Sequence, residues 1–126
     1  MLFNREVLAG LDLLQALYRG ARTANEVATA TQDSLMYTYQ VCKKMKEIGA
    51  IYSTQGADGG YNMHPMVPDW TLAFYLAKFG IEFVPSPLNR GASLKVQERI
   101  NPLYTSLRLR DLFTDNGTFV SLPGAS

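Results

Sequence analysis

Gly49 divides two periods. Before it, Leu35, Thr38, Val41, Cys42, Met45 and Ile48 recur at helical spacing, and the glycine supplies a helix stop. After it, Ala50-Ile51-Tyr52-Ser53-Thr54 reads as a strand. Gln55-Gly56-Ala57-Asp58-Gly59-Gly60 is a turn with three glycines, able to take positive φ. Tyr61-Asn62-Met63-His64 returns as a second strand, and Pro65 ends it because proline cannot continue a ladder.

The chain upstream completes the unit. Val7, Leu8, Leu11, Leu14, Leu17 and Tyr18 form a stripe that predicts a helix over 4–19, stopped at Gly20. Thr23-Ala24-Asn25-Glu26 is a capping box: the Thr hydroxyl accepts from the Glu26 amide while the Glu carboxylate reaches back. It opens a short helix over 24–30. The polar corner Thr31-Gln32-Asp33 leads to the third helix, whose residues Tyr37, Gln40, Lys44 and Glu47 are expected to share a solvent side, with Lys43 and Lys46 flanking. Short helix, tight corner and polar-faced helix is the layout of a helix-turn-helix, and a hairpin directly after it is a wing. A helix held off the body in this way can enter a major groove, which is wide enough to admit one.

The run Ser34 to Met63 resembles the Rrf-type winged-helix regulators, a bacterial family that includes the iron–sulfur cluster regulator, the nitric-oxide-sensing repressor and the cysteine-metabolism repressor. The matching positions are Tyr37 and Gln40 in the third helix, Gly49 at its end, Ser53 and Gly56 in the first wing strand and turn, and Gly59, Gly60, Tyr61 and Met63 in the second strand. The resemblance implies a homodimer in which a long C-terminal helix crosses to a second subunit. Three departures are visible. Gln55 stands where the family usually has an Arg before the wing glycine, and Tyr39 stands where an acidic residue often precedes the Gln. The stretch about 80–95 lacks the three cysteines of the sensor branch, so no iron–sulfur cluster on the family plan is expected.

The expected fold is therefore mainly α with a small β-hairpin: a winged helix-turn-helix over 1–66, a helical dimerisation extension over 67–113, and a flexible tail over 114–126. In the extension, Asp69 is expected to cap a helix over 70–79, Ser93 to begin another that Pro102 kinks or interrupts, and Ser106 to cap a last turn through Phe113. The stretch 81–92 reads as a loop. Trp70, Phe74, Tyr75 and Phe79 are expected in the core or a subunit interface.

The expected function is a sequence-specific DNA-binding transcription regulator. Ser34, Met36, Tyr37, Tyr39 and Gln40 are candidates for base edges and nearby backbone, and Lys43, Lys44 and Lys46 for phosphates. The wing tip, with Gln55 and Gly56, would lie over a minor groove or the backbone. Residues 1–64 hold six basic and six acidic side chains, and the whole chain carries a net charge of +1, so phosphate attraction must be focused rather than diffuse. Neutrality and Gln55 equally fit a winged-helix protein-interaction module without DNA.

The remaining chemistry is sparse. With one Cys and one His in 126 residues, no internal disulfide, four-ligand Cys/His zinc site or nucleophile–base pair is expected, and no cofactor. Cys42 falls among core positions and His64 ends a strand, so structural roles are expected for both. Glu6 and Asp12 interrupt the N-terminal apolar positions, and no apolar stretch approaches the roughly 20 residues a bilayer requires. A cytoplasmic protein without membrane contact is expected; a small-molecule effector is left open.

Overall fold

A computed structural model describes residues 4–56, 59–81 and 90–114. Helices α1 (Arg5–Tyr18), α2 (Ala24–Thr31) and α3 (Leu35–Glu47) are followed by strands β1 (Ile51–Thr54) and β2 (Gly60–Met63). A single 3-10 turn at Val67–Asp69 leads to α4 (Leu72–Ala77), α5 (Ala92–Ser106) and α6 (Leu109–Phe113). The expected architecture, mainly helical with one small antiparallel hairpin, is the one found. Among the described residues, no helix is long and apolar enough to cross a membrane.

Local chemistry starts each of the first three helices where the sequence indicates. Asn4 accepts from the Val7 amide at 2.8 Å, and Ser34 accepts from the Tyr37 amide at 3.1 Å. At α2 both halves of the capping box form: Thr23 Oγ1 accepts from the Glu26 amide at 3.1 Å, and Glu26 accepts from the Thr23 amide at 3.0 Å. Each bond satisfies an amide that the first helical turn leaves without a partner.

Helix α1 is the centre of the molecule. It meets α2, α3, β2 and α6, so its burial wraps wider than one stripe. Leu13 is buried although it lies off the expected stripe, whereas Leu8 and Tyr18 are substantially exposed. Val7, Leu13, Leu14 and Leu17 pack with Val27, Val41, Cys42, Met45 and Ile51. The same cluster continues past residue 66 into Val67, Leu72, Tyr75, Leu76, Leu109 and Phe113. Helices α4 and α6 thus complete the core that the first three helices begin.

The C-terminal elements depart from expectation in two places. Asp69 does not cap α4. The tight Val67-Pro68-Asp69 turn and an extended Trp70 delay the helix, and Thr71 caps it by accepting from the Phe74 amide at 3.1 Å. The Asp69 carboxylate instead accepts from Arg110 Nε at 3.0 Å. Of the two outcomes expected at Pro102, interruption does not occur: α5 runs through it from Ala92 to Ser106. Glu98, whose carbonyl loses its helical donor there, lies with Pro102 on the exposed side, where water can serve it. Ser106 does not cap the last turn either: its hydroxyl turns back to the Pro102 carbonyl at 2.6 Å, and Asp111 accepts from the Arg108 amide at 3.2 Å to start α6. The expected tail over 114–126 lies outside the described residues beyond Thr114, and most of the expected loop over 81–92 does as well.

Two close approaches fix the relation of these parts. In mid-α1, Gly10 leaves a notch that the Tyr75 hydroxyl and the end of Met45 fill; a Cβ there would collide with that hydroxyl and lie 2.8 Å from Met45 Sδ. The Tyr75 hydroxyl donates to the Val7 carbonyl at 2.7 Å. At the wing, the Tyr61 amide donates to the Arg22 carbonyl at 2.7 Å. Gly60 permits this approach, because a Cβ at that position would sit 2.5 Å from the Arg22 oxygen.

Gly10→Ala would ordinarily gain helix stability of about 0.5–1 kcal/mol. Here it is expected to destabilise the protein by about 1–3 kcal/mol through overpacking. Thermal unfolding checks this, and a raised Tm would show that the notch is not needed. Gly60→Ala is expected to speed hydrogen exchange at the Tyr61 amide while the amides of α1 and α3 stay protected. Unchanged Tyr61 protection would mean that the wing is held by other contacts.

Candidate nucleic-acid interface

Helix α3 presents two unlike sides. Thr38, Val41, Cys42 and Met45 face the core, and the Thr38 hydroxyl is satisfied by the Ser34 carbonyl at 2.9 Å. Opposite them, Met36 (75% exposed), Tyr39 (51% exposed), Gln40, Lys43, Lys46 and Glu47 project into solvent. These are the side chains that a partner approaching α3 meets first.

The structure does not place all the sequence candidates on that face. Tyr37 and Lys44, expected beside Gln40 on the solvent side, turn towards α1 and are half-buried. The Arg5 guanidinium lies over the Tyr37 ring at 3.9 Å from its centroid. Lys44 Nζ lies 4.0 Å from Glu6 Oε1 and 5.6 Å from the Phe79 ring centroid. The reason is geometric. Residues 37 and 44 sit about a quarter-turn from the centre of the outer face, and α1 and the residues after α4 close over that flank. Ser34 is engaged as the helix cap. Lys43 and Lys46 are the α3 lysines classed as exposed.

Arg5 is a candidate that sequence reading did not single out. Its side chain is 74% exposed and pairs only loosely with Asp33, at 3.9 Å. Nothing local marks it. It adjoins the start of α3 because α1 and α3 pack side by side, a long-range relation that no spacing rule encodes.

The wing lies beside the same face. Ile51 pairs with Met63, Tyr52 with Asn62, Ser53 with Tyr61 and Thr54 with Gly60. Alternation turns Ile51, Ser53, Tyr61 and Met63 to one side and Tyr52, Thr54, Asn62 and His64 to the other. Lys46 Nζ lies 5.8 Å from the Tyr61 ring centroid, so this lysine stands where α3 meets the wing. Gln55 and Gly56 are exposed at the wing's open end, and Gly56 takes φ +104°, in the region that favours glycine. Residues 57 and 58 lie outside the described residues.

The Cys42 thiol is buried. Desolvation pushes its pKa up to about 11, only partly offset by its hydrogen bond with Tyr61 and the charge of Lys46. A thiol in that state stays protonated at neutral pH and is a poor nucleophile. His64 stacks on Tyr52 with ring centroids 4.8 Å apart, which gives it a packing role at the wing's base. At the start of α2, the Thr23 and Arg22 amides hold the Glu26 carboxyl below its ordinary range. That carboxylate takes the two amides just before α2, Arg22 and Thr23, as the reciprocal half of the capping box.

Helix α5 is built differently from the rest. None of its residues is buried; Val96 is 53% exposed and Leu103 65%. Val96, Ile100, Leu103 and Leu107 follow at intervals of four, three and four, forming one apolar stripe. Leu72, Ile100, Leu103, Tyr104 and Leu107 line a cavity of about 540 Å³ between α5 and the body.

No family model matches the chain, and no match is found among curated proteins. Solved structures do match. CymR (YrzC), the global cysteine regulator of B. subtilis, superposes with a TM-score of 0.67 at 16% identity, over 88% of this chain and 95% of that one. T. potens IscR gives 0.61 at 21% identity, over 90% and 86%. Staphylococcus aureus CymR gives 0.65 at 17% identity, over 88% and 97%. At these identities the shared property is the fold: this chain has the winged-helix architecture of the CymR and IscR structures.

Proposed function

We propose that the protein is a sequence-specific DNA-binding transcription regulator acting as a homodimer. The observation that carries this reading is the outer face of α3: a Gln, two Lys and two large side chains exposed together on one helix, next to a wing. The N-terminal half of α3 would enter the major groove. Met36, Tyr39 and Gln40 would meet base edges, and Lys43 and Lys46 would meet phosphates. Tyr37 and Lys44 would act from the flank, Tyr37 by holding Arg5 beside the backbone. Ser34 would present the start of the helix, and Gln55 and Gly56 would lie over a minor groove or the backbone.

The second subunit enters through α5. A 15-residue helix with no buried residue and an apolar stripe is poorly accounted for within one chain. A second copy would cover Val96, Ile100 and Leu103 and set two α3 helices about one turn of DNA apart. The domain division over 1–66 and 67–113 then takes a functional meaning: the first part reads, and the second both completes the core and pairs.

The neutral first half and Gln55 favour one other reading, a winged-helix protein-interaction module. The two separate on salt dependence. Binding through phosphates makes log affinity fall linearly with log salt.

Gln40→Ala is expected to lower affinity for a site selected from random DNA by about 1–3 kcal/mol and affinity for random DNA much less. Lys43→Ala is expected to weaken both alike and to reduce the salt slope by about 1. Equal losses for Gln40→Ala on both DNAs would sink base reading. Leu103→Glu is expected to leave a folded monomer where the wild type sediments as a dimer. A wild-type protein that sediments as a monomer would remove the homodimer from the proposal.

A further inference from the structure

The outer face of α3 carries an exposed methionine that neither phosphate binding nor hydrogen bonding explains. Met36 is 75% exposed, on the first turn of the helix. A single exposed apolar residue is ordinary and by itself means nothing. Its company gives it meaning. Met36, Gln40 and Lys43 lie at i, i+4 and i+7, a single ridge along the solvent side. Any groove that admits Gln40 and Lys43 receives Met36 at the same time, and desolvates it.

The chemistry of the groove then narrows the partner. Of the groups that unmodified base pairs present in the major groove, one is apolar: the C5 methyl of thymine. An amide such as that of Gln40 matches adenine N6 and N7 as donor and acceptor together. The two side chains are four residues apart, about 6 Å along the helix axis, a distance of about two base steps. A methionine is long, unbranched and polarisable, and fits a methyl group without demanding one geometry.

Resting on the regulator reading above, we infer that Met36 reads a thymine methyl and Gln40 an adenine within about two steps of it, so that each half-site requires A·T pairs there. Thymine recognition by Met36 and adenine recognition by Gln40 are separable contributions to one specificity.

The test removes the methyl alone. The wild-type protein selects a site from a random DNA pool, and each thymine of the enriched site is replaced in turn by deoxyuridine. In each half-site, one replacement is expected to weaken wild-type binding about fourfold, the effect of one methyl's burial. Met36→Ala is expected to bind the original site more weakly and to lose sensitivity to that replacement; Met36→Gln is expected to lose it too. Gln40→Ala is expected to keep it. Circular dichroism verifies folding of the variants, which change side chains that lie outside the core. An enriched site indifferent to every deoxyuridine, or one whose sensitivity persists undiminished in Met36→Ala, overturns this inference and leaves the regulator reading standing. A pool that yields no enriched site overturns both.

Discussion

The notch at Gly10 is the point on which the arrangement turns. Removing a Cβ in mid-α1 brings Tyr75 close enough to donate to the Val7 carbonyl at 2.7 Å, and lets Met45 reach the same place from α3. Three elements far apart in sequence meet at one glycine. Desolvation also holds the Tyr75 hydroxyl protonated well above its ordinary range, so it serves as a donor at any physiological pH. The back of α3 is therefore pinned to the part of the chain that follows the wing. The orientation of its outer face is a property of the whole core rather than of the helix-turn-helix alone.

A second set of contacts brings the chain home after its C-terminal excursion. The Leu72 amide donates to the Leu107 carbonyl at 2.8 Å, and the Leu109 amide donates to the Trp70 carbonyl at 2.9 Å. Arg108 and Arg110 both bond to Asp69. These bonds close the segment from α4 to α5 into a loop whose ends are side by side. Helix α6 then returns Leu109 and Phe113 to α1, with the Phe113 ring 5.4 Å from that of Tyr18. Helix α5 can stand off the body without weakening the core, because the core is sealed before it leaves and after it returns.

Much of this was legible residue by residue. The three N-terminal helices, the capping box at Thr23 and the hairpin are local consequences of spacing and of the glycines at 49, 56 and 60; the caps Asn4 and Ser34 emerged with the structure. The C-terminal half was less legible: Ser106 turns back to the nearby Pro102 carbonyl, whereas Asp69 finds a partner far along the chain. Asp69 is not the cap because the turn at 67–69 and extended Trp70 delay the helix to Thr71, and its carboxylate pairs instead with Arg110, 41 residues on. Leu13, outside the expected stripe, is buried because it lies three residues after Gly10 and four before Leu17, on the face of α1 that the core covers.

The candidate site divides in the same way. Which residue types populate α3 followed from the sequence, and so did the succession of helix and wing. Which of them face outward did not. Helical angle alone leaves Tyr37 and Lys44 on the boundary between faces, about a quarter-turn from the centre of the outer face. Packing decides such boundary positions: Arg5 covers Tyr37, and Glu6 with Phe79 draws Lys44 in. The order of elements is written in short-range chemistry, where caps, glycines and periodicity act within a few residues. The identity of the exposed face, and the arrival of Arg5 beside it, depend on how whole helices lie against one another, which only the folded core establishes.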